Sequence, residues 1–294
     1  MPTPERAGPA PQDPLEEAVA DPVDGYDPPV LSARQAAADG MPGWPAPGEP
    51  FPGPTAPVPA GRGGEQVIPR PLTARPGGPP PWVDLPPERR RVRLDDVRAV
   101  FADAGPAVKS ERELLPEIDR ASAVLAPLYE VDGELHVVLT RRTWNLSSHQ
   151  GEVSFPGGRQ DPTDADLWQT ALREAREEIA LDTTHVEQIG ELDHLATITS
   201  RSFIVPYVGA LPEGRPETVP NPGEVGHVLH VPIAELLDPA IFREERWTFP
   251  WDDDRPIFFF ELVGDTVWGA TGAMLRQLLG LITGTLHRGD LGHL

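Results

Sequence analysis

Residues 155–181 read FPGGRQDPTDADLWQTALREAREEIAL, and this stretch decides the fold. An apolar strand end passes into Gly157-Gly158, then into a polar loop, then into LWQTALREAREEIA, which has no helix breaker and many strong helix formers. At about 100° per residue, Trp168, Leu172, Ala175 and Ile179 fall on one face, the expected core side. Glu174, Glu177 and Glu178 share a different arc, roughly 100° wide. Like charges three and four residues apart destabilise an isolated helix by a few tenths of a kcal/mol each, so something should compensate. A hard divalent cation held by carboxylate oxygens does so, and Mg2+ is the usual choice when substrate phosphates complete the shell. A plain solvated helix face shows the same spacing, and spacing alone does not separate the two. The paired glycines favour the metal reading, because they let backbone N–H groups approach a phosphate closely.

Outward from this stretch, ASAVLAPLYEV and ELHVVLTRR are strand candidates joined by the turn Asp132-Gly133, a strong hairpin signal. GEVSF runs into Pro156-Gly157-Gly158 as a further strand. Leu94 to Ala104 has helical spacing, and later strands are expected at HVEQIGEL, SFIVPYVGAL, GHVLHVP, IFFFELV and TVWGA. A helix in GAMLRQLLGLITGTL closes the chain. Mixed strands with two or three helices fit an α/β or α+β sandwich.

The chain of 294 residues places 24 of its 38 prolines before residue 91, among Gly, Ala, Asp and Glu. Such a segment buries too little apolar surface to offset its ordering entropy, so residues 1–91 are expected to form a disordered, proline-rich extension. Parts of it suit polyproline II docking on an aromatic groove. Trp44 and Trp82 are the exceptions, and Trp82, beside Val83 and Leu85, is the residue expected to pin the extension to the domain. Residues 92–294 form one domain of ordinary composition, without an internal repeat. A net charge of -21 argues against binding a nucleic-acid backbone. Absence of cysteine excludes disulfides and thiolate chemistry. Without an apolar run long enough to cross a bilayer or a signal-like start, the expectation is a cytoplasmic protein with no membrane partner.

The segment from Gly158 to Leu181 resembles the Nudix box, G-x5-E-x7-R-E-U-x-E-E-x-G-U, where U is bulky and apolar. Arg173, Glu174, Ala175, Arg176, Glu177, Glu178 and Leu181 match it. Gly158 stands one residue early, the first glutamate falls on Ala165, with Asp164 expected to take over its loop-bracing role, and the late glycine is Ala180. Upstream, LTRRTWNLSSHQGEVSFPGG is similar to the signature of the coenzyme A pyrophosphatase subgroup, with Ser147 in place of its second arginine. NPGEVGHVLHVP and TVWGATG also resemble that subgroup.

The resemblance implies a Nudix α/β/α sandwich with a mixed sheet, hydrolysing the diphosphate bond of a nucleoside-diphosphate derivative. Coenzyme A or acyl-CoA is the leading substrate; ADP-ribose or a nucleotide sugar is the alternative, and a non-catalytic nucleotide sensor is the reading from another class. Glu174, Glu177 and Glu178 would hold Mg2+ or Mn2+, and Arg173 would orient them. Glu224 is the first choice of base, with Glu213, Glu217 and Glu177 as rivals. Arg141, Arg142, Gly157, Gly158 and Phe155 are the substrate-binding set, although a strand-ending Phe155 more often packs in a core. Arg141, Arg159 or Arg201 could supply the cation missing at Ser147, and His149 lies near the glycine loop. Trp144 is placed to stack on a base. His227 and His230 are spaced for opposite sides of a strand. The expected partners are a small nucleotide and, at most, a second copy in a homodimer, with no partner identified for the extension.

Overall fold

The computed structural model describes residues 42–109, 120–145, 150–197, 202–249 and 252–290. Ser147, His149 and Arg201, and residues 1–41 of the expected extension, lie outside the described residues.

Fourteen strands and four α-helices follow in chain order among the described residues. They are β1 (Gly63–Gly64), β2 (Arg75–Pro76), α1 (Leu94–Asp103), β3 (Arg120–Val131), β4 (Glu134–Arg142), β5 (Val153–Ser154), β6 (Gly157–Arg159) and α2 (Leu167–Ile179). Then come β7 (Glu187–Glu191), β8 (Leu195–Thr197), β9 (Ser202–Ala210), β10 (Val225–Pro232), α3 (Ile233–Leu236), β11 (Phe242–Phe249), β12 (Asp252–Glu261), β13 (Val263–Gly264), β14 (Thr266–Val267) and α4 (Gly269–Thr283). The main sheet has the order β10-β4-β3-β9-β7, with β5 on β4, β6 on β3 and β8 on β9. Only β3 and β9 pair in parallel there, so the sheet is mixed as expected.

Strand alternation sorts β3 between two cores. Ala123, Leu125 and Tyr129 pack with Ala171, Leu172, Ala175 and Ile179 of α2. Ala126 and Leu128 join the opposite core, which α1 and α4 cover through Val97, Phe101, Leu275 and Leu278. The result is the expected α/β/α sandwich.

A second, four-stranded sheet, β14-β12-β11-β2, was not expected, and β11 is the element the sequence hid. Its Arg243, Glu244, Glu245 and Arg246 form a run of four charged residues with no apolar alternation. In the fold Arg243 reaches Glu245 and, at 2.7 Å, Glu261, so the charges are buried as pairs. The IFFFE run of β12 is apolar on both faces because both are covered: Phe258 and Phe260 enter the α4 core, while Ile257 and Phe259 join Trp247, Phe249 and Trp268 on the outer side.

That outer side overturns the expectation of disorder for residues 42–91. Trp44 is buried there against Phe249, with ring centroids 5.7 Å apart. Further along, β2 pairs with β11. Arg70 Nε lies 2.7 Å from Glu245 Oε2, both side chains being almost wholly buried. Trp82 is buried between Phe242 and Phe260, the pin that the sequence suggested. Few of the segment's residues are apolar, but β11 and β12 supply the missing surface, and its prolines reduce the entropy lost on docking.

Candidate active site

The acidic helix α2 starts at Asp166, whose side chain accepts from the Gln169 N–H at 2.8 Å and satisfies a free first-turn donor. It stops at Ala180, in the left-handed region at φ 51°. This is the position of the box's late glycine, and alanine there costs about 1 kcal/mol. The last-turn carbonyls find partners in a distant loop. Val219 N–H donates to Ile179 O at 2.8 Å and Asn221 N–H to Glu178 O at 2.7 Å. Asn221 O in turn accepts from the Glu224 and Val225 N–H groups at 3.0 and 2.8 Å. Completing the hydrogen bonds of the helix end therefore brings Glu224 beside the acidic helix.

Arg173 organises the carboxylates. Its Nε and Nη2 donate to the two oxygens of Asp164 at 3.0 and 3.1 Å, and Nη2 also donates to Arg159 O at 3.0 Å. Glu174 Oε1 lies 2.9 Å from Nη2, and Nη1 donates to Glu177 Oε2 at 2.8 Å. Asp164 accepts from Thr170 Oγ1 and from the Asp161 N–H, each at 2.9 Å. The hydrogen-bonded Arg173 guanidinium holds the Asp164 carboxyl down at about 2. Asp164 thus braces the loop, as expected for the position beside Ala165. If Arg173 orients Glu174 and Glu177 as metal ligands, Asp164→Asn should lower kcat/KM by about 10- to 100-fold, with only a small fall in Tm. Unchanged kcat/KM on a diphosphate substrate would show that Arg173 keeps its place without this brace.

Glu178 is 4% exposed. Burial, reinforced by the charges of Glu174 and Glu224 and opposed by Arg142, pushes its carboxyl up to about 8. One oxygen accepts from the Gly157 N–H at 3.3 Å. Burial also raises the Glu174 carboxyl. Gly158 has a role that the sequence did not suggest: a Cβ there would sit 2.6 Å from the Glu174 carboxylate, so the second glycine makes room for an acid. A Cβ at Gly157 would collide with the Ala123 carbonyl and lie 2.6 Å from Val124 Cα, so the first glycine lets β6 close on β3.

Among the described residues no group of three His, Asp or Glu side chains converges as a ready metal cage. Arg173 engages Glu174 and Glu177, and Glu177 is more than half exposed. The donors nevertheless fit a hard cation. Glu178 is a buried carboxylate with one long hydrogen bond, flanked by two further acids whose repulsion a divalent ion would relieve.

The other expected residues divide by strand parity. Arg142 lies on the α2 side of β4; its charge acts on Glu178, and its buried Nε has no hydrogen-bond partner. Arg141 faces the other way, with Nη1 3.3 Å from both oxygens of buried Asp265, whose Oδ1 also accepts from Gln66 Nε2 at 3.3 Å. It does not join the acidic cluster. Phe155 is 1% exposed and packs in the core. Glu213 precedes Gly214, whose N–H donates to Glu130 O near the far end of β3. Glu217 is exposed. His230, on the α2 side, hydrogen-bonds Tyr129 Oη at 2.9 Å, whereas His227 lies near Asp265 on the other, so the two do not share a ligand position.

A family profile described as the NUDIX domain matches residues 119–251. Nudix hydrolase 3 of Caenorhabditis elegans is 38% identical over 202 residues, covering 63% of this chain and 83% of that protein. Nudix hydrolase 15, mitochondrial, of Arabidopsis thaliana is 36% identical over 53% of this chain and 56% of its own length. The uncharacterized Nudix hydrolase NudL of Photorhabdus laumondii is 34% identical over 56% of this chain and 86% of its own. Among the described residues no helix is long and apolar enough to cross a membrane.

Proposed function

The chain belongs to the Nudix hydrolase family, and from that premise we propose that it hydrolyses the diphosphate linkage of a nucleoside-diphosphate derivative, coenzyme A or an acyl-CoA first. The products would be 3',5'-ADP and 4'-phosphopantetheine or its acyl form. The observation that carries the reading is Glu178, a buried acid on the same side of the sheet as Arg142 and close enough to Glu174 and Glu224 to feel their charges. The substrate choice rests on the resemblance of residues 139–158 to the coenzyme A signature.

Glu174, Glu177 and Glu178 would hold Mg2+ or Mn2+, which when bound neutralises phosphate oxygens and acidifies water. Arg173 keeps Glu174 and Glu177 in place through the contacts that also anchor Asp164. Arg142, with its unpaired Nε, supplies a cation for a phosphate oxygen. Glu224 takes the proton of the attacking water as its oxygen bonds to phosphorus; the bridging P–O bond breaks and its electron pair leaves with the departing phosphate. Glu177 is the alternative base. Gly157 and Gly158 lie in β6, where the Gly157 N–H donates to Glu178 Oε2 at 3.3 Å and so helps to hold that carboxyl in place.

Incubation with Mg2+ or Mn2+ and, separately, coenzyme A, ADP-ribose, NADH and GDP-mannose, with products identified by mass, tests the reading. Fastest cleavage of coenzyme A at its diphosphate is the expected result. Preference for ADP-ribose or GDP-mannose would move the assignment to a nucleotide-sugar pyrophosphatase, and inertness towards all four would favour a sensor. Glu224→Gln should lower kcat by about 10²- to 10⁴-fold with little change in KM, the range for loss of a general base. Near-normal kcat would shift that role to Glu177.

A further inference from the structure

We propose that Trp144 is the platform on which the substrate's nucleobase stacks, a reading that rests on the diphosphate site above and assigns its base-recognition residue. Trp144 lies two residues beyond Arg142, whose charge acts on Glu178. The intervening Thr143 N–H donates to Glu224 O at 2.9 Å, tying this segment to the loop that carries the proposed base. The backbone that leads into Trp144 is therefore tied to the strand and the loop that flank the acidic cluster.

Its ring is seated as well as placed. Gly151, at φ 68°, lies so close that a Cβ there would collide with the six-membered ring of Trp144. The indole thus packs against bare backbone at Gly151. Yet Trp144 is 46% exposed, whereas Trp44, Trp82, Trp247 and Trp268 are all at 5% or below. Burying an indole is strongly favourable, so a held ring left half in water has a face to offer. Stacking on that face suits a flat purine, and it tolerates different bases because each has a π surface.

The test measures binding without turnover. Calorimetry with Mg2+ present compares α,β-methylene-ADP, which carries a base, with methylenediphosphonate, which shares only the diphosphate-like group. Trp144→Ala is expected to weaken the nucleotide analogue by about tenfold or more and leave methylenediphosphonate unchanged. Trp144→Phe should retain most of the affinity. Equal nucleotide affinity in wild type and Trp144→Ala, an equal loss for both ligands, or no nucleotide binding by wild type would overturn the proposal. Because neither ligand is cleaved, the outcome is independent of the hydrolysis panel, so failure of one reading is distinguishable from failure of the other.

Discussion

Glu178→Gln is expected to lower kcat/KM by about three orders of magnitude or more, equivalent to about 4 kcal/mol of transition-state stabilisation, while leaving the fold intact. The amide keeps the side chain's shape and its acceptor for the Gly157 N–H, but removes the charge that a divalent ion would need. Stability should move in the opposite sense from activity. The folded-state carboxyl sits at about 8 against an ordinary 4.5, because burial disfavours its ionised form. Between those values the folded chain holds a proton that the unfolded chain has lost. This contribution to stability is complete below pH 4.5 and disappears as the pH rises through 8. In chelator, wild type and Glu178→Gln should therefore melt together near pH 4, and the variant should melt higher at pH 9. Retention of near-normal kcat/KM by the variant would remove Glu178 from the metal site. A Tm gap that narrows on going from pH 4 to pH 9 would contradict the burial argument.

The second large effect is expected from removing residues 1–80. The deletion strips Trp44 from the outer face of the second sheet, takes away β2, and exposes Trp247, Phe249 and Phe259. It also deprives fully buried Glu245 of Arg70, although Arg243 and the Trp247 indole N–H, at 2.7 Å, remain. Breaking a buried ion pair from one side typically costs about 3–5 kcal/mol. The single substitution Arg70→Met should show much of that loss, and the deletion should lower Tm further and promote aggregation through the uncovered aromatic face. Equal melting temperatures for the deleted and intact chains would mean that this segment rests on the domain without stabilising it.

The central helix and its neighbours were legible because each signal was local. LWQTALREAREEI forms a helix at Leu167–Ile179 from propensity and the Asp166 cap, and the Asp132-Gly133 turn joins the two strands flanking it. One carboxylate arc was visible from helical periodicity alone. Asp164 was legible too, since only one acid position beside Ala165 was needed to brace Arg173. By contrast, Arg141 and Arg142 look equivalent in sequence, and their separation depends on which face of β4 each occupies.

β11 and residues 42–91 were illegible for one reason. Their polar and proline-rich composition predicts solvation when each is considered alone, but each supplies what the other lacks. Arg70 neutralises Glu245, and Trp44 covers Trp247 and Phe249 from about 200 residues away. Composition and periodicity report only what a segment can do with its near neighbours. They were enough for the sandwich and the acidic helix. The company of Glu178 and the docking of the proline-rich segment depend on groups far apart in the chain, because desolvation and charge pairing act on whatever the fold brings within a few ångströms.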